Sequence, residues 1–468
     1  MKGDFTRFTF NPANNYSRVL QQQGRVQLDS DWNEQADIFL YHLRALARDL
    51  VGHYGGPAQN LGFKIINKKA LDALIATEQY KALSNDQQAA LAAAIKDGNL
   101  IVAPGIYYVD GIRVENPGYV TVSNQAKYGN PTLDDIKNAD LIYLEVWERH
   151  LTYLDDDSIR EAALGGLDTT TRTQVVWRVG LHKFLGAPPH DDPIRELRDT
   201  SHGRLRARAK RGRTDSELCV ISPESRYRGA ENQLYRVEIH RGSVADTDKP
   251  ATFKWSRENG SIVFPVLEIS NSSVNQTEVT LAMFGRDARL GLKESDWVEL
   301  ANEESVEKNQ RFPLLRIASI DRDNMRLTLD GKSAIDGDQS KRPILRRWDH
   351  QGKNEYEGAL SAIGHKDTEV ADAGTWIDLE DGIQIWFSDS KDYRAGDFWL
   401  IPARTATGDI EWLKERNEAG AEETDANIIG MALSPHGPRH YYAPLALINN
   451  VGALTDLRVS FKLLVGPP

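Results

Sequence analysis

The feature that most constrains the fold of this chain is an amphipathic segment near its start. Residues 30–53 place apolar side chains three or four positions apart, at Trp32, Ala36, Phe39, Leu43, Leu46 and Leu50. That spacing predicts a helix with a single apolar stripe. Asp31 and Glu34 would cap its start, and the glycines from Gly52 onward would end it. Such a helix must bury its stripe, either within this chain or against another subunit.

Three phenylalanines precede the helix in an otherwise polar stretch. Phe5, Phe8 and Phe10 are two or three residues apart. No uninterrupted apolar run of the kind found in secretory signals comes before the helix. The stretch can either lie as an arm on a neighbouring surface or pack on its own fold, and self-packing is the commoner outcome. Both interpretations are open at this point.

The rest of the chain changes from helical to strand patterning. A second helical region spans about 68–96 and is broken near Asn85, and helix signals almost vanish after it. Strand alternation then recurs in the segments 101–116, 141–154, 175–184, 234–242, 251–259 and 261–269. The sequence therefore predicts a mainly β protein with an N-terminal helical region (α+β), built of several small antiparallel sandwich or barrel modules.

The length of 468 residues leaves room for roughly three domains. We predict an N-terminal arm with helices over 1–100, for docking or oligomerisation, and an antiparallel β domain over 101–285. Residues 286–468 are predicted to form β-barrel-like modules. They contain two related strand motifs, at 290–301 and 392–403, each with an Asp beside an aromatic residue at the start of an apolar strand.

Composition excludes several classes of protein. A net charge of −11 argues against a general nucleic-acid binder. One basic run opposes that average: Arg204, Arg206, Arg208, Lys210, Arg211 and Arg213. A solvated strand face is the usual explanation of such a run. No apolar run approaches the ~20 residues of a membrane-spanning helix, and the single Cys219 excludes an intrachain disulfide or a Cys-based zinc site.

The search for catalytic chemistry gives no motif. No nucleophile elbow, zinc-protease helix, phosphate-binding loop or dinucleotide fingerprint occurs in a suitable context, so we predict that the chain is not an enzyme and needs no cofactor. Calcium is left open, because acidic side chains alternate at Asp155, Asp157 and Glu161 and again at Asp321 and Asp323. Ordinary acidic turns explain both places more simply.

Tryptophans give the best candidates for a binding face. Nine of them are spread through the β region, and most are expected to fill cores. Trp255 is the most ambiguous, because Lys254 and Arg257 flank it beside an Asn259-Gly260 turn. Trp255 and Arg257 are therefore a hypothesis for surface binding, with a glycan as the possible target.

Several long segments resemble one bacterial family of unassigned biochemistry. They are MKGDFTRFTF, YSRVLQQQGRVQLDSDWNEQ, LIYLEVWERHLTYLDDDSIREAALGGLDTTTRTQVVWRV, ENQLYRVEIHRG, ATFKWSRENGSIVFPV and DFWLIPARTATGDIEW. Members of that family tend to be encoded beside phage-tail-like contractile injection systems. The resemblance implies association with a tail-like particle and supplies no catalytic residues.

These observations favour a structural component of a contractile injection particle, at the baseplate, the tail tip or an attached accessory. Its N-terminus would dock on the particle through Phe5, Phe8, Phe10, Trp32, Phe39 and Leu43. The partners would be other particle subunits and further copies of the chain, in a homo-oligomer such as a trimer. We expect synthesis in the cytoplasm without a signal peptide, followed by assembly into a particle that is released or membrane-associated. One alternative is a carbohydrate-binding or polysaccharide-cleaving surface protein; a second is a cargo in the tube lumen.

Overall fold

The structure is a computed structural model. It describes residues 1–125, 129–186, 191–198, 203–209, 226–243, 250–273, 275–353, 356–362, 364–365, 376–388, 393–414, 430–449 and 452–462. Over these residues the protein is mainly β with an N-terminal helix and several sheets, as the sequence predicts. No helix within the described ranges has the length and apolar character needed to cross a membrane.

The helices are concentrated in the first third of the chain. They are α1 (Asp29–Val51), α2 (Leu71–Ile75), α3 (Glu78–Lys81), α4 (Asn85–Lys96), α5 (Leu133–Asn138) and α6 (Glu303–Glu307). The predicted break near Asn85 is confirmed, because Ser84 caps α4 in a reciprocal pair with Gln87.

The start of α1 differs from the prediction. The helix begins at Asp29, and Leu28 holds the N-cap position without a side-chain hydrogen bond. Asp29 accepts a hydrogen bond from the backbone N–H of Thr6 at 2.9 Å, and Glu34 accepts one from Thr9 at 2.6 Å. The predicted capping pair of Asp31 and Glu34 is wrong because the preceding segment uses the helix carboxylates for tertiary contacts.

The strands range from two to 11 residues in length. They are β1 (Tyr54–Pro57), β2 (Ile65–Ile66), β3 (Ile101–Val102), β4 (Gly105–Val109), β5 (Ile112–Asn116), β6 (Val120–Thr121), β7 (Leu141–Leu151), β8 (Arg172–His182), β9 (Leu205–Ala209), β10 (Gln233–Arg241), β11 (Thr252–Ser256), β12 (Val263–Ser273), β13 (Gln276–Leu281), β14 (Trp297–Ala301), β15 (Leu315–Asp321), β16 (Arg326–Asp330), β17 (Ile344–Trp348), β18 (Leu360–Ser361), β19 (Gly364–His365), β20 (Ile377–Asp378), β21 (Ile383–Ser388), β22 (Phe398–Arg404), β23 (Asp409–Ile410), β24 (His440–Ile448), β25 (Leu454–Asp456) and β26 (Ser460–Phe461).

Two sheets and a barrel position the surfaces discussed below. A five-stranded sheet has the order β18-β11-β10-β22-β23, and a four-stranded sheet has the order β25-β24-β7-β8. A closed barrel follows the order β12-β13-β16-β15-β14-β17, with its own core around Phe264, Val279, Val298, Leu327 and Leu345. Alternating apolar residues point inward on each barrel strand, as a small closed barrel requires.

Hydrogen-bonded sheets cross both predicted domain boundaries. The strand β1 pairs with β4 and β26, and β10 pairs with β22. The three-domain division therefore stays a prediction. Its boundaries divide the sequence into segments, and the sheets join strands from different segments. The two related strand motifs end in different structures, since β14 belongs to the barrel and β22 to the five-stranded sheet.

Candidate docking surface

The first ten residues are pinned to the β body of the same chain. The Lys2 ammonium lies 3.1 Å from the Glu238 carboxylate. Arg236 donates to the Met1 carbonyl at 3.1 Å, and the Asn259 side chain donates to the Gly3 carbonyl at 3.0 Å. These contacts join the start of the chain to strand β10 and to the turn after β11.

A buried ion cluster receives Lys2 between the five-stranded sheet and the barrel. It consists of Lys2, Arg236, Glu238, Lys254 and Glu299. Glu238 lies opposite Lys254 in the register of β10 and β11, and Arg236 donates to Glu238 at 2.7 Å. The Lys254 ammonium lies 2.8 Å from Glu299 on barrel strand β14 and 3.6 Å from Glu238. The cluster therefore joins three parts of the fold: the N-terminal arm, the sheet and the barrel.

The cations of this cluster keep its carboxylates ionised. Burial alone would raise the pKa of Glu238, but the cations of Lys2, Arg236 and Lys254 outweigh it and hold that pKa well below its ordinary value. The pKa of Glu299 is also lowered, because Lys254 and Lys2 outweigh its burial. Burial lowers the pKa of Lys254. Each charge thus depends on its partners, and removing one would leave the others uncompensated.

The phenylalanines of the arm have separate positions. Phe5 and Phe8 pack against Leu234, Phe398 and Leu400 on the five-stranded sheet, with their rings 5.2 Å apart. Phe10 lies 5.6 Å from the Tyr41 ring of α1. Phe5 and Phe8 thus follow the self-packing alternative, because an apolar cluster of their own sheet covers part of each ring. The docking role of these two residues stays a prediction.

The inner side of α1 is attached to the body by polar contacts and one apolar residue. Arg44 forms a two-pronged ion pair with Glu148 of β7, at 3.0 and 2.7 Å. Ile38 is fully buried. A Cβ at Gly111, in the β4–β5 turn, would collide with the backbone of Arg44. The inner side of the helix is therefore held on the body by an ion pair and by a close-packed contact.

The apolar stripe of α1 points away from the chain that carries it. At ~100° per residue, the stripe residues fall on one side of the helix and Ser30, Ile38 and Arg44 on the other half. Trp32 is 76% exposed, Phe39 61% and Leu43 62%, and Leu46 and Leu50 are exposed to a similar degree. An exposed apolar patch of this length is typical of a protein interaction site.

The segment that leads into α1 adds to this exposed surface. Residues 11–28 are almost entirely exposed, and Tyr16, Leu20, Val26 and Leu28 are the large apolar residues among them. One anchor holds the segment, since the Val19 backbone N–H donates to the Gln35 side chain at 2.8 Å. Helix and segment together form what we call the N-terminal docking surface: residues 11–28 and the stripe of α1.

The surface-binding hypothesis for Trp255 is wrong. Trp255 is 4% exposed and packs in the core beside Tyr235, Phe253 and Trp399, so its indole cannot stack on a ligand. At this position, in the middle of a strand, the large indole ring fills the hydrophobic core.

Arg257, the second residue of that hypothesis, forms an ion pair and lines a cavity. Its guanidinium donates to Glu380 at 2.7 and 2.6 Å. The cavity has a volume of about 380 Å³ and is also lined by Arg289, Arg347, Asp296 and Asp349. With Lys293 the lining has four cationic side chains and two carboxylates, and Asp349 pairs with both Arg257 and Arg347, at 3.6 and 3.2 Å.

The other tryptophans of the β region are buried or half-buried. Trp297, Trp348, Trp376, Trp386 and Trp399 are buried, and Trp147, Trp177 and Trp412 are half-buried. Trp32 on α1 is the exposed tryptophan of the chain. Aromatic residues suited to an interface hot spot are therefore found on the helix and not on the sheets.

Two of the six residues of the basic run take part in the packing between strands, while Arg204 is exposed. Arg206 lies over the Trp386 ring at 5.3 Å, and Arg208 lies over the Trp376 ring at 4.0 Å. Both arginines are half-buried on one face of β9, beside β21. Lys210, Arg211, Arg213 and Cys219 lie outside the described residues.

The acidic turns bind groups of the protein. Asp155 pairs with Arg149 at 2.9 Å, and Asp321 accepts from the Asn324 side chain at 2.7 Å. Within the described part of the chain, no group of three or more His, Cys, Asp or Glu side chains is arranged to hold a metal ion.

Sequence reasoning missed the buried ion cluster. Arg236 and Glu238 alternate on a strand, a pattern that normally marks a solvated face. The available signal was the composition of the strand. Apart from Arg236 and Glu238 themselves, every residue from Leu234 to Ile239 is of a type that is commonly buried. A strand that is buried on both faces forces its charges to find partners inside.

Stability is expected to fall as the pH is lowered from 6.5 towards 4. Burial first, and then the charge of Lys254, lowers the pKa of His240 to about 3, and burial lowers the pKa of His350 to about 4. Below the unfolded-state pKa of ~6.5 the unfolded chain binds protons that the folded chain does not, which favours unfolding. Glu258, with a pKa raised by burial to about 7, acts in the opposite direction and offsets one of the histidines.

Urea unfolding at several pH values would measure this effect. Each buried histidine contributes roughly 1.4 kcal/mol per pH unit within that window. His240→Gln should remove one contribution and flatten the slope of stability against pH. An unchanged slope in that variant would contradict a neutral, buried His240.

Comparison with known proteins adds a family but no activity. The family model DUF6519, described as a family of unknown function, matches residues 1–189 and 192–463. No curated protein and no solved structure matches the chain significantly.

Proposed function

Because the chain belongs to DUF6519, a family of unknown function, we propose its function from its own surface: a structural subunit of a phage-tail-like contractile injection particle, attached through its N-terminal region. The resemblance of the motifs quoted above to a family encoded beside such particles supports this proposal. The baseplate, the tail tip and an attached accessory are the places where such a subunit would sit.

The outward-facing stripe of α1 is the observation that carries this proposal. A helix on the surface of a protein normally turns its apolar side towards the core. Here the polar side is held by Arg44 and Glu148, while Trp32, Phe39 and Leu43 are left exposed. A subunit that functions inside an assembly resolves this inversion, because its partners cover the stripe.

The predicted docking residues are revised accordingly. Trp32, Phe39 and Leu43 stay in the proposal, together with Leu46 and Leu50 of the same stripe. Phe10 lies at the edge of the surface, against Tyr41. The arm that carries Phe5 and Phe8 acts as a clamp that holds α1 on the body, through Thr6 and Asp29.

The alternative of a carbohydrate-directed protein has less support. Its sequence argument depended on exposed tryptophans of the β region, and these rings are buried or half-buried. The mixed charges around Arg257 do not replace them.

Particles purified from the producing cells would test the proposal. We expect the wild-type chain to co-purify with them and Phe39→Gln/Leu43→Gln to be lost, because two polar amides in the stripe oppose burial. Leu164→Gln is the matched control, since Leu164 is about as exposed as Leu43 but lies outside α1, at the end of the 3-10 helix Ala162–Leu164. Electron microscopy of particles with and without the chain would then locate its density.

Two outcomes would contradict the proposal. Particles that never contain the chain would rule out a structural role. Density confined to the inside of the tube would identify the chain as a cargo, and the stripe variant would then be retained.

A further inference from the structure

The exposed stripe of α1 has the spacing of a coiled-coil seam. From Trp32 its apolar residues follow at intervals of four, three, four, three and four, so that Ala36, Leu43 and Leu50 occupy a positions of a heptad and Trp32, Phe39 and Leu46 occupy d positions. A repeat of 3.5 residues is the periodicity of a helix that packs along another helix. The seam is 19 residues long, which is roughly 28 Å of helix.

The positions beside the seam are compatible with identical neighbours. The e positions hold Asn33, Leu40 and Ala47, and the g positions hold Gln35, His42 and Asp49. Copies of one helix place equal side chains in equal layers, so rows of like charge at e and g would oppose self-pairing. Asp49 is the single carboxylate of this set, and it lies in the last turn of α1.

The size of the stripe also agrees with such an interface. Trp32, Phe39, Leu40, Leu43, Leu46 and Leu50 are all exposed. At ~100 Å² each, they present on the order of 600 Å², close to the ~800 Å² per partner of a standard interface. Leu40 at an e position widens the seam beyond a and d, and a wider seam suits a helix that contacts two neighbours instead of one.

We propose that the occupant of this stripe is the same stripe of further copies of the chain, in a parallel three-helix bundle around a threefold axis. The inference rests on the proposed function only for the location of the oligomer on the particle. The pairing of the helices is a property of the isolated protein.

The mass of the full-length protein in solution tests the inference. We expect light scattering to give about three times the 52.5 kDa of one chain. Phe39→Gln/Leu43→Gln/Leu46→Gln should give a folded monomer, because glutamine keeps the helix but not the apolar seam. Leu164→Gln/Leu167→Gln should leave the trimer unchanged, since both leucines are exposed outside α1.

Disulfide cross-linking tests the register of the bundle. In a Cys219→Ser background, Leu43→Cys at an a position should form cross-linked dimers between chains on oxidation. Arg48→Cys, at an outward f position of the heptad, should not. Cross-linking through residue 48 and not through residue 43 would overturn the seam.

Each remaining outcome has a definite meaning. A monomeric wild type, or an oligomer that survives the triple substitution, overturns the inference. If the wild type is monomeric and the stripe variants still lose the particle, the inference fails and the proposed function stands. A trimer that never associates with particles supports the inference and overturns the proposed function.

Discussion

Deleting residues 2–10 is expected to destabilise the β body by roughly 5 kcal/mol or more. The deletion removes the Lys2 ammonium from Glu238 and uncovers the apolar cluster of Leu234, Phe398 and Leu400. Breaking a buried ion pair by removing one partner costs ~3–5 kcal/mol, and the lost cover of Phe5 and Phe8 adds to it. This is about a third or more of the ~5–15 kcal/mol stability of an ordinary domain. Chemical unfolding followed by tryptophan fluorescence would measure the change.

The matched control changes the exposed segment that follows the arm. Tyr16→Ser/Leu20→Ser/Val26→Ser alters three large apolar residues, all more than half exposed, and should change stability by less than ~0.5 kcal/mol per site. If the deletion variant and this control were equally stable, the arm would be a loose docking segment. Its contacts with β10 would then contribute nothing to the free energy of unfolding.

Replacing Glu238 with alanine is expected to cost roughly 3–5 kcal/mol. Glu238 is the anion that Lys2, Arg236 and Lys254 share, and its side chain is 1% exposed. Its removal leaves Lys254 with Glu299 and takes from Lys2 and Arg236 the carboxylate that each of them contacts. The melting temperature and the urea midpoint should both fall, and the loss should be nearly independent of salt, because a buried pair is screened weakly.

A surface pair supplies the comparison for Glu238. Glu115→Ala breaks the Arg113–Glu115 pair on β5, where both side chains are about half exposed. Such pairs contribute ~0–1 kcal/mol and weaken with added salt. A Glu238 variant that behaved like the Glu115 variant would mean that the cluster is open to water in solution.

The stabilising role expected for the arm determines which variants can test assembly through the N-terminal region. Removal of residues 1–53 would combine the loss of the arm with the loss of the helix stripe, so a failure to assemble could simply reflect unfolding. Substitutions at Phe39 and Leu43 separate the two effects, because their side chains are exposed and the inner contacts of Arg44 and Ile38 are left in place.

The general fold followed from local sequence patterns. The period of the stripe from Trp32 to Leu50 predicted α1, and alternation in segments such as 141–154 and 175–184 predicted strands that the structure contains as β7 and β8. These predictions succeed because the periodicity of a helix or a strand depends only on residues that are close together in the sequence. The mainly β fold with an N-terminal helix follows from them.

The positions of single side chains did not follow in the same way. Trp255 and Trp32 are both tryptophans in polar surroundings of the sequence, yet the first is buried and the second is exposed. The flanking Lys254 and Arg257 suggested a surface, whereas Lys254 is buried against Glu238 and Glu299. Burial depends on which layer covers a strand, and that layer comes from distant parts of the chain.

By itself, the sequence determined that α1 has one apolar side and that this side must be covered. Only the tertiary structure decided which side of α1 the body takes. The arm, Ile38 and the Arg44–Glu148 pair hold the opposite half of the helix, so the stripe is left for a partner. The physical reason is that periodicity fixes the directions of side chains around a helix axis, whereas long-range contacts fix the orientation of that axis on the fold.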